Sequence, residues 1–275
     1  IEAYRKIRNT CRFLLSNLYD FDPAKDRVAY EELPELDRWA LLRLEELKEK
    51  VCKAYEEFEF HTIFHALNNF CSVDLSAVYL DILKDRLYTF RADSPLRRGS
   101  QTVLYEIILA MTKLMAPVLS FTAEEIWRSF AIQMTGTPDA TSVHLSQFPD
   151  ACLNWQDAAL AQRWEQLLKY REQVQGVLEV SRRDKVIGSS LEAAVEMRAV
   201  GDDLAFLKSY ERDLSTVFIV SQVKLVEGSD AQSPVSVVAS KSSFAKCERC
   251  WNYREAVGKD ATHPTLCDRC VEAVQ

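Results

Sequence analysis

Hydrophobic side chains recur every three or four positions along most of the chain before Gly188. This spacing is typical of amphipathic helices that each bury one face, so the pattern predicts a series of long helices. The predicted helices cover Tyr4 to Leu18, Leu36 to Phe58, residues 62 to 90, Leu104 to Met115 and Trp155 to Arg182.

Some helix boundaries carry local signals. Pro117 is expected to end a helix at Ala116, because a residue that precedes proline disfavours the helical conformation. Thr122 to Glu125 (TAEE) has the spacing of a capping box, which predicts Thr122 as the N-cap of the next helix. The first helix starts at Ile1 without a cap signal, so the chain is expected to belong to a longer protein.

The pattern changes at Gly188, after which hydrophobic runs are short and rich in β-branched residues. Residues 191–200, 215–226 and 235–239 each predict a strand, since Gly, Ser, Asp or Pro bounds each run. Residues 202–212 between the first two runs have helical spacing. This stretch therefore predicts a small α+β module, whose strand order the sequence does not determine.

The end of the chain contains two Cys-x-x-Cys pairs, Cys247 with Cys250 and Cys267 with Cys270. Two such pairs separated by a short loop are the spacing of a tetrahedral zinc site with four thiolate ligands. A closed shell of four thiolates leaves no position for water or substrate. We therefore expect one structural zinc ion, with His263 in the loop between the pairs and not among the ligands.

The surroundings of the second cysteine allow two interpretations. Trp251 directly follows Cys250, and Arg249 directly precedes Cys250. An exposed ring between cationic groups would stack on an unpaired base of RNA, while the cation contacts the same strand. A ring packed over the metal site is the structural alternative, and the residue types favour neither.

These patterns together predict a mainly α fold, a helical bundle followed by a small α+β module and a four-cysteine zinc ribbon. The predicted divisions are the bundle over residues 1–150, a linking helix over 151–185, the module over 186–240 and the ribbon over 241–275. The low content of Gly and Pro, 7 and 8 among 275 residues, agrees with a mostly helical chain.

Composition restricts the class of protein. The net charge of −7 argues against a general binder of polyanions, so any contact with nucleic acid must come from a local basic face. No apolar run approaches the roughly 20 residues of a membrane span. Four further cysteines are scattered singly, as expected for reduced thiols. We expect a cytoplasmic monomer with no membrane contact.

Charged residues divide unevenly between the first two predicted helices. Arg5, Arg8 and Arg12 follow one stripe of the first helix, opposite its hydrophobic face, and would contact phosphate or stay solvated. The second helix carries a glutamate-rich side, including Glu45 and Glu46, that is expected to be exposed and to repel nucleic acid. His61 and His65 have metal-pair spacing, but without an acidic partner we expect ordinary packed or exposed side chains.

Distinctive segments along the chain are Tyr4 to Thr10 (YRKIRNT), Asp20 to Pro23 (DFDP), Asp74 to Ala77 (DLSA), Tyr79 to Tyr88 (YLDILKDRLY), Met115 to Pro117 (MAP), Phe121 to Trp127 (FTAEEIW) and the four-cysteine tail. These segments resemble the C-terminal part of bacterial isoleucyl-tRNA synthetases, and the resemblance covers the whole chain. The Asp74 segment and the four-cysteine tail are more specific to the isoleucine enzymes than the segments shared with valyl and leucyl relatives.

The resemblance implies that residues 1 to about 150 are an anticodon-binding bundle. It also implies that the α+β module and the ribbon contact the anticodon stem-loop of an isoleucine tRNA. It implies that Trp251 and Arg249 contact the tRNA. The helix that carries Arg5, Arg8 and Arg12 would then lie along the RNA backbone. The chain would position tRNA for a catalytic domain of the same protein. That domain would carry out ATP-dependent aminoacylation, a step of protein biosynthesis.

Whether this chain is itself an enzyme stays uncertain from the sequence. It contains neither the His-Ile-Gly-His nor the Lys-Met-Ser-Lys-Ser segment of the parent family, no editing domain and no glycine-rich phosphate loop. Lys185 to Ser189 superficially resembles the lysine loop but lacks its second lysine. We therefore predict no catalytic residue, and ATP is a cofactor only of the absent catalytic domain.

Two other functions fit parts of the pattern. A zinc-ribbon adaptor that binds a protein partner would need the same cysteines and no RNA contact. A DNA glycosylase is a more distant candidate, because some of these enzymes end in a similar ribbon. Its catalytic half is missing from this chain.

Overall fold

The computed structural model describes residues 1–134, 142–228 and 234–275. The chain forms two compact units, Ile1–Ala161 and Gln162–Gln275. The first is a helical bundle, and the second holds a small sheet with helices and the four-cysteine ribbon. The expected fold class is confirmed, while the finer divisions near residues 150, 185 and 240 stay predictions. Within the described residues, no helix is both long enough and apolar enough to cross a membrane.

The helices of the first unit follow the predicted periodicity closely. A π-helical segment, Phe70–Tyr79, lies between α3 and α4, so the predicted tract over residues 62 to 90 is helical but not one α-helix. The α-helices are α1 (Glu2–Ser16), α2 (Glu35–Glu56), α3 (Phe60–Asn69), α4 (Leu80–Thr89), α5 (Pro95–Met115) and α6 (Ser120–Met134).

Helix α5 is the centre of the bundle, because side chains on nearly all of its sides are buried. A helix that is enclosed all round in this way forms the core of a bundle rather than one of its faces. It ends at Met115, one residue before the predicted end at Ala116.

The predicted capping box at Thr122 is wrong. Helix α6 begins at Ser120, so Thr122 already lies in its first turn. The Thr122 hydroxyl instead shares a hydrogen bond of 3.0 Å with the hydroxyl of Tyr4 on α1. A contact between distant segments has replaced the local cap that the spacing suggested.

The Asp20 segment joins the end of α1 to α5. Arg97 donates two hydrogen bonds to the Asp20 carboxylate, at 2.7 and 3.0 Å, and Gln101 donates a third at 2.8 Å. Burial acts to raise the pKa of Asp20, but the hydrogen bonds from Arg97 and Gln101 outweigh it and hold that pKa below its ordinary value. The side chain of Asp20 thus attaches the turn after α1 to α5 and stabilises the bundle.

The second unit contains most of α7 (Ala158–Arg183) and a three-stranded sheet in the order β2-β1-β3. β1 (Ala193–Ala199) runs parallel to β2 (Gln222–Glu227) and antiparallel to β3 (Val235–Lys241). Alternate residues of β1 are buried, which is the period-two pattern of a strand with one covered face. The parallel connection passes through the short helices α8 (Gly201–Ser209) and α9 (Leu214–Phe218).

The prediction of one strand over residues 215–226 is wrong in its first half. Leu214, Val217 and Phe218 are buried on one face of α9, at helical spacing. Ile219 then adopts a left-handed conformation with φ of 56°, which ends the helix before β2 begins. Tertiary packing of that face has overridden the strand propensity of the β-branched residues.

The ribbon occupies the end of the second unit. A small antiparallel pair, β4 (Ala245–Lys246) and β5 (Tyr253–Arg254), brackets the first cysteine pair. A short helix, α10 (Asp268–Glu272), starts directly after Cys267 and carries Cys270. The hairpin and the helix together hold the two cysteine pairs against each other.

Candidate zinc site and nucleic-acid interface

Each cysteine pair sits on a tight backbone turn. In the first, the N–H of Trp251 donates to the carbonyl of Cys247 at 2.9 Å, and the N–H of Cys247 donates to the carbonyl of Asn252 at 2.9 Å. In the second, the N–H of Val271 donates to the carbonyl of Cys267 at 2.9 Å. These turns point both sulfurs of a pair to the same side.

The four cysteine sulfurs form one buried cluster in which all ligand atoms lie within 4.8 Å of one another. The Sγ atoms of Cys250 and Cys267 are 3.7 Å apart. A tetrahedral zinc ion with bonds of about 2.3 Å separates its sulfurs by about 3.8 Å, so the arrangement fits this metal. The cluster is a site for one structural zinc, and His263 lies outside it, as expected.

Hydrogen-bond donors lie close to the sulfurs and lower the pKa of Cys247, whereas burial raises the pKa of Cys267 and Cys270. The N–H of Cys267 donates to Sγ of Cys247 at 3.3 Å, and Nη1 of Arg249 lies 3.6 Å from Sγ of Cys270. Burial acts to raise the pKa of Cys247, but backbone N–H donors, chiefly those of Cys250 and Cys267, lower it to about 7. A thiolate near neutral pH is the state that binds metal.

The ring of Trp251 does not cover this cluster. Val257 and Leu266 pack against the cysteines instead, and both come from the loop between the two pairs. The Trp251 side chain is 60% exposed, and Nζ of Lys246 lies 5.0 Å from the centre of its ring. Sequence reasoning missed the two covering residues, although their apolar character within a polar loop was the available signal.

The backbone of Trp251 has a left-handed conformation, with φ of 63°. Bulky residues rarely adopt it, and the strain costs about 1 to 3 kcal/mol relative to glycine. A large ring therefore stands exposed at a position where glycine would fit with less strain. Such strain is often stored at functional sites.

The predicted arginine stripe lies on the surface of the first unit. Arg5, Arg8 and Arg12 are all exposed on α1. Arg8 donates two hydrogen bonds to the Glu125 carboxylate on α6, at 2.8 and 2.9 Å. This contact raises the pKa of Arg8 and lowers the pKa of Glu125. Across the described residues, no ion pair involves Arg5 or Arg12.

The expected acidic face of α2 needs one correction. Glu45 is buried, where it pairs with Lys48 and accepts a hydrogen bond of 2.9 Å from the N–H of Cys152. It therefore adds no charge to the surface. His61 and His65 are exposed side chains on α3.

The stripe and the ribbon belong to different compact units, the stripe to the first and the ribbon to the second. Within the ribbon, Arg249 and Trp251 flank Cys250 but differ in exposure, since Arg249 is half-buried beside the cysteines. The exposed ring is thus the part of the ribbon most accessible to a stacking partner.

Two protein families match the chain. Residues 37–197, more than half of the chain, match the family described as the anticodon-binding domain of tRNA ligases. Residues 244–273 match a zinc finger found in FPG and IleRS. The second match contains all four cysteines of the buried cluster.

Curated proteins similar to the chain are isoleucine–tRNA ligases. The protein of Geobacter sulfurreducens is 49% identical over 100% of this chain and 30% of its own length. That of Desulfitobacterium hafniense is 48% identical over 99% of this chain, and that of Moorella thermoacetica is 47% identical over 100%. The chain spans about 30% of the length of these relatives, and the resemblance seen in the sequence is confirmed.

Proposed function

We propose that this chain, which belongs to the anticodon-binding domain family of tRNA ligases, binds the anticodon stem-loop of an isoleucine tRNA. The observation that carries the proposal is the combination in one chain of that domain with a four-cysteine ribbon of the type found in IleRS. The names of the relatives support isoleucine as the amino acid concerned.

The ribbon supplies the contact with unpaired bases. The exposed ring of Trp251 stacks on a base of the anticodon loop, because every base offers a π face to an aromatic side chain. Arg249 contacts the same loop while its Nη1 remains near the sulfur of Cys270. The zinc ion holds this surface rigid and takes no part in chemistry.

The first unit supplies contacts with the RNA backbone. Arg5 and Arg12 contact phosphate groups along one face of α1. Their side chains are available for this contact because they are exposed and form no ion pair among the described residues. Arg8 belongs to the same stripe but shares its charge with Glu125. Its contribution to phosphate binding is therefore smaller than that of its neighbours.

The role of these contacts is to position tRNA for ATP-dependent aminoacylation. The catalytic domain of the same protein would bind ATP and isoleucine, and this chain would supply no catalytic residue. The whole protein would act as a cytoplasmic monomer, with tRNA and its own catalytic domain as partners.

A binding assay tests the proposal directly. The chain is titrated against radiolabelled isoleucine tRNA, with the isolated anticodon stem-loop and the isolated acceptor stem as competitors. The anticodon stem-loop is expected to compete and the acceptor stem is not. Adding the chain to a separately purified catalytic fragment is expected to restore charging of the tRNA.

Two outcomes would contradict the proposal. Equal competition by both RNA fragments would mean that binding does not depend on the anticodon arm. Capture of a protein partner that withstands ribonuclease, without measurable binding of tRNA, would favour the adaptor function instead.

A further inference from the structure

A cleft of about 260 Å³ lies within the second unit, between the three-stranded sheet and the ribbon. Its walls come from Gln222 on β2, Phe244 before β4, Tyr253 and Arg254 on β5, and Asp268 at the start of α10. None of the residues assigned to RNA contact in the previous section lines it. Clefts for drug-sized ligands measure about 300 to 1,000 Å³, so this one suits a single ring system.

Arg254 has unused hydrogen-bond donors in this cleft. Its side chain is half-buried, and its Nε atom is shielded from solvent without a hydrogen-bond partner. In the described parts of the chain, its guanidinium makes no recorded hydrogen bond or ion pair. The Nη groups of Arg254 are not among the solvent-shielded atoms, so they are the donors that an acceptor on a ligand in the cleft can reach.

Carboxylates lie in the same cleft and restrict what the ligand can be. Asp268 is exposed and has no recorded partner among the described residues, while Glu255 pairs with Lys259 at 2.9 Å. Negative charge beside Arg254 disfavours a phosphate group, because the carboxylates would repel it. A ligand that accepts from Arg254 and also donates to Asp268 satisfies both groups.

The remaining walls include two aromatic rings. Phe244 is 38% exposed, and the half-buried ring of Tyr253 precedes Arg254 on β5. Aromatic side chains in RNA-binding proteins stack on unpaired bases, whose edges then meet hydrogen-bonding groups at the sides. The cleft thus combines stacking surfaces, a cationic donor and an anionic acceptor.

We propose that this cleft binds one unpaired nucleobase of the RNA, in addition to the base stacked on Trp251. The pairing edge of the base presents an acceptor to Arg254 and an N–H donor to Asp268, an adjacent pair that each of the four bases carries. The proposal rests on the proposed function, because it names a second subsite for the same RNA.

Chemical probing of isoleucine tRNA tests this subsite. Dimethyl sulfate, kethoxal and a water-soluble carbodiimide together modify the pairing edges of all four unpaired bases, so a base in the cleft is protected when the chain is bound. The wild-type chain is expected to protect such a base. Arg254→Gln is expected to lose that protection and to weaken binding about tenfold, the size of one directional contact to a base. Asp268→Ala removes the acceptor and is expected to expose the same base.

Arg198→Gln is the matched control. Arg198 lies on β1 of the same unit and pairs with Glu196 at 3.0 Å, so its replacement removes the same charge from a residue that does not line the cleft. This variant is expected to keep every protection. Zinc content is measured for all variants to show that the ribbon is intact.

The outcomes separate this inference from the proposed function. Tight binding of tRNA by Arg254→Gln with unchanged protections overturns the subsite and leaves the proposed function standing. Loss of zinc from Arg254→Gln also overturns it, because the arginine would then be structural. Failure of the wild-type chain to bind tRNA overturns both.

Discussion

Arg8 on α1 and Glu125 on α6 form a two-point ion pair, with hydrogen bonds of 2.8 and 2.9 Å, although 117 positions separate them in the sequence. The pair joins two helices of the bundle at the surface. Exposed pairs of this kind contribute little to stability. Its main consequence is for RNA binding, because it occupies the donors of one arginine in a stripe of three.

The first prediction concerns the salt dependence of tRNA binding. Arg5→Gln and Arg12→Gln are each expected to reduce the slope of log affinity against log salt concentration by about 0.7 to 0.9, the loss of one phosphate contact. Arg8→Gln is expected to change the slope less, since Glu125 holds its guanidinium. Filter binding over a series of salt concentrations measures all three slopes.

The double variant Arg8→Gln with Glu125→Gln is the control for net charge. It removes the ion pair while leaving the local net charge as in the wild-type chain, so affinity and slope are expected to stay near wild type. A slope that falls as much for Arg8→Gln as for Arg5→Gln would show that Arg8 contacts phosphate despite its partner.

The second prediction concerns zinc. Chelation is expected to release about one equivalent of zinc and to unfold the ribbon, since structural zinc contributes about 10 to 16 kcal/mol of binding free energy in small peptides. The bundle has its own core, so most helical circular dichroism is expected to remain. Atomic emission and far-ultraviolet spectra measure the two effects.

Cysteine variants supply the matched pair for this experiment. Cys270→Ser removes a member of the buried cluster and is expected to lose zinc. Cys152→Ser changes a thiol outside the cluster and is expected to keep it. Retention of zinc by Cys270→Ser would show that the four sulfurs do not form the site.

The third prediction concerns pH and the hydrogen bonds of Asp20. The pKa of Asp20 in the folded chain is below its ordinary value near 3.9 in an unfolded chain, so its contribution to stability is present above that ordinary value. It is lost as the pH falls through the lower folded value. Asp20→Asn is therefore expected to lower the free energy of unfolding by about 2 kcal/mol at neutral pH.

Urea unfolding at several pH values checks this prediction. The difference between Asp20→Asn and the wild-type chain is expected to be constant above about pH 5 and to shrink as the pH falls below about 4. Asp93→Asn, at an exposed pair with Arg91, is the control and is expected to have little effect. A difference that does not depend on pH would show that the Asp20 charge has no stabilising role.

The fourth prediction concerns the ring of Trp251. Trp251→Gly removes the ring and suits the left-handed backbone, so the variant is expected to keep zinc and to weaken tRNA binding by about 1 to 3 kcal/mol. Because stacking depends little on salt, the salt slope is expected to stay the same. Trp251→Phe keeps a ring and is expected to bind more tightly than Trp251→Gly. Unchanged affinity of Trp251→Gly would exclude stacking.

Local patterns in the sequence predicted the helices and the metal site well. Helix α2 repeats its hydrophobic residues over many turns, and the cysteines of each pair are close in sequence, so neither needs information about distant contacts. The same local reasoning failed at Thr122, whose hydroxyl meets Tyr4, and at Val217, whose side chain is buried on a short helix. Both depend on packing between distant segments.

Burial of charged residues was also beyond local patterns. Glu45 has the sequence surroundings of a solvated helix face, yet it is buried with Lys48 and the N–H of Cys152. The unused donors of Arg254 could not be inferred either, since they depend on how the ribbon meets the sheet. Sequence thus predicted the four cysteines of the metal cluster, but not which charged residues already have partners.

Exchange of the anticodon tests the central claim most directly. Affinity of the chain is measured for isoleucine tRNA and for the same tRNA with its three anticodon bases replaced by those of another amino acid. The replaced bases still stack, but loss of the contacts to their edges is expected to weaken binding at least tenfold, with the salt slope nearly unchanged. Equal affinity for the two tRNAs would contradict recognition of the anticodon by this chain.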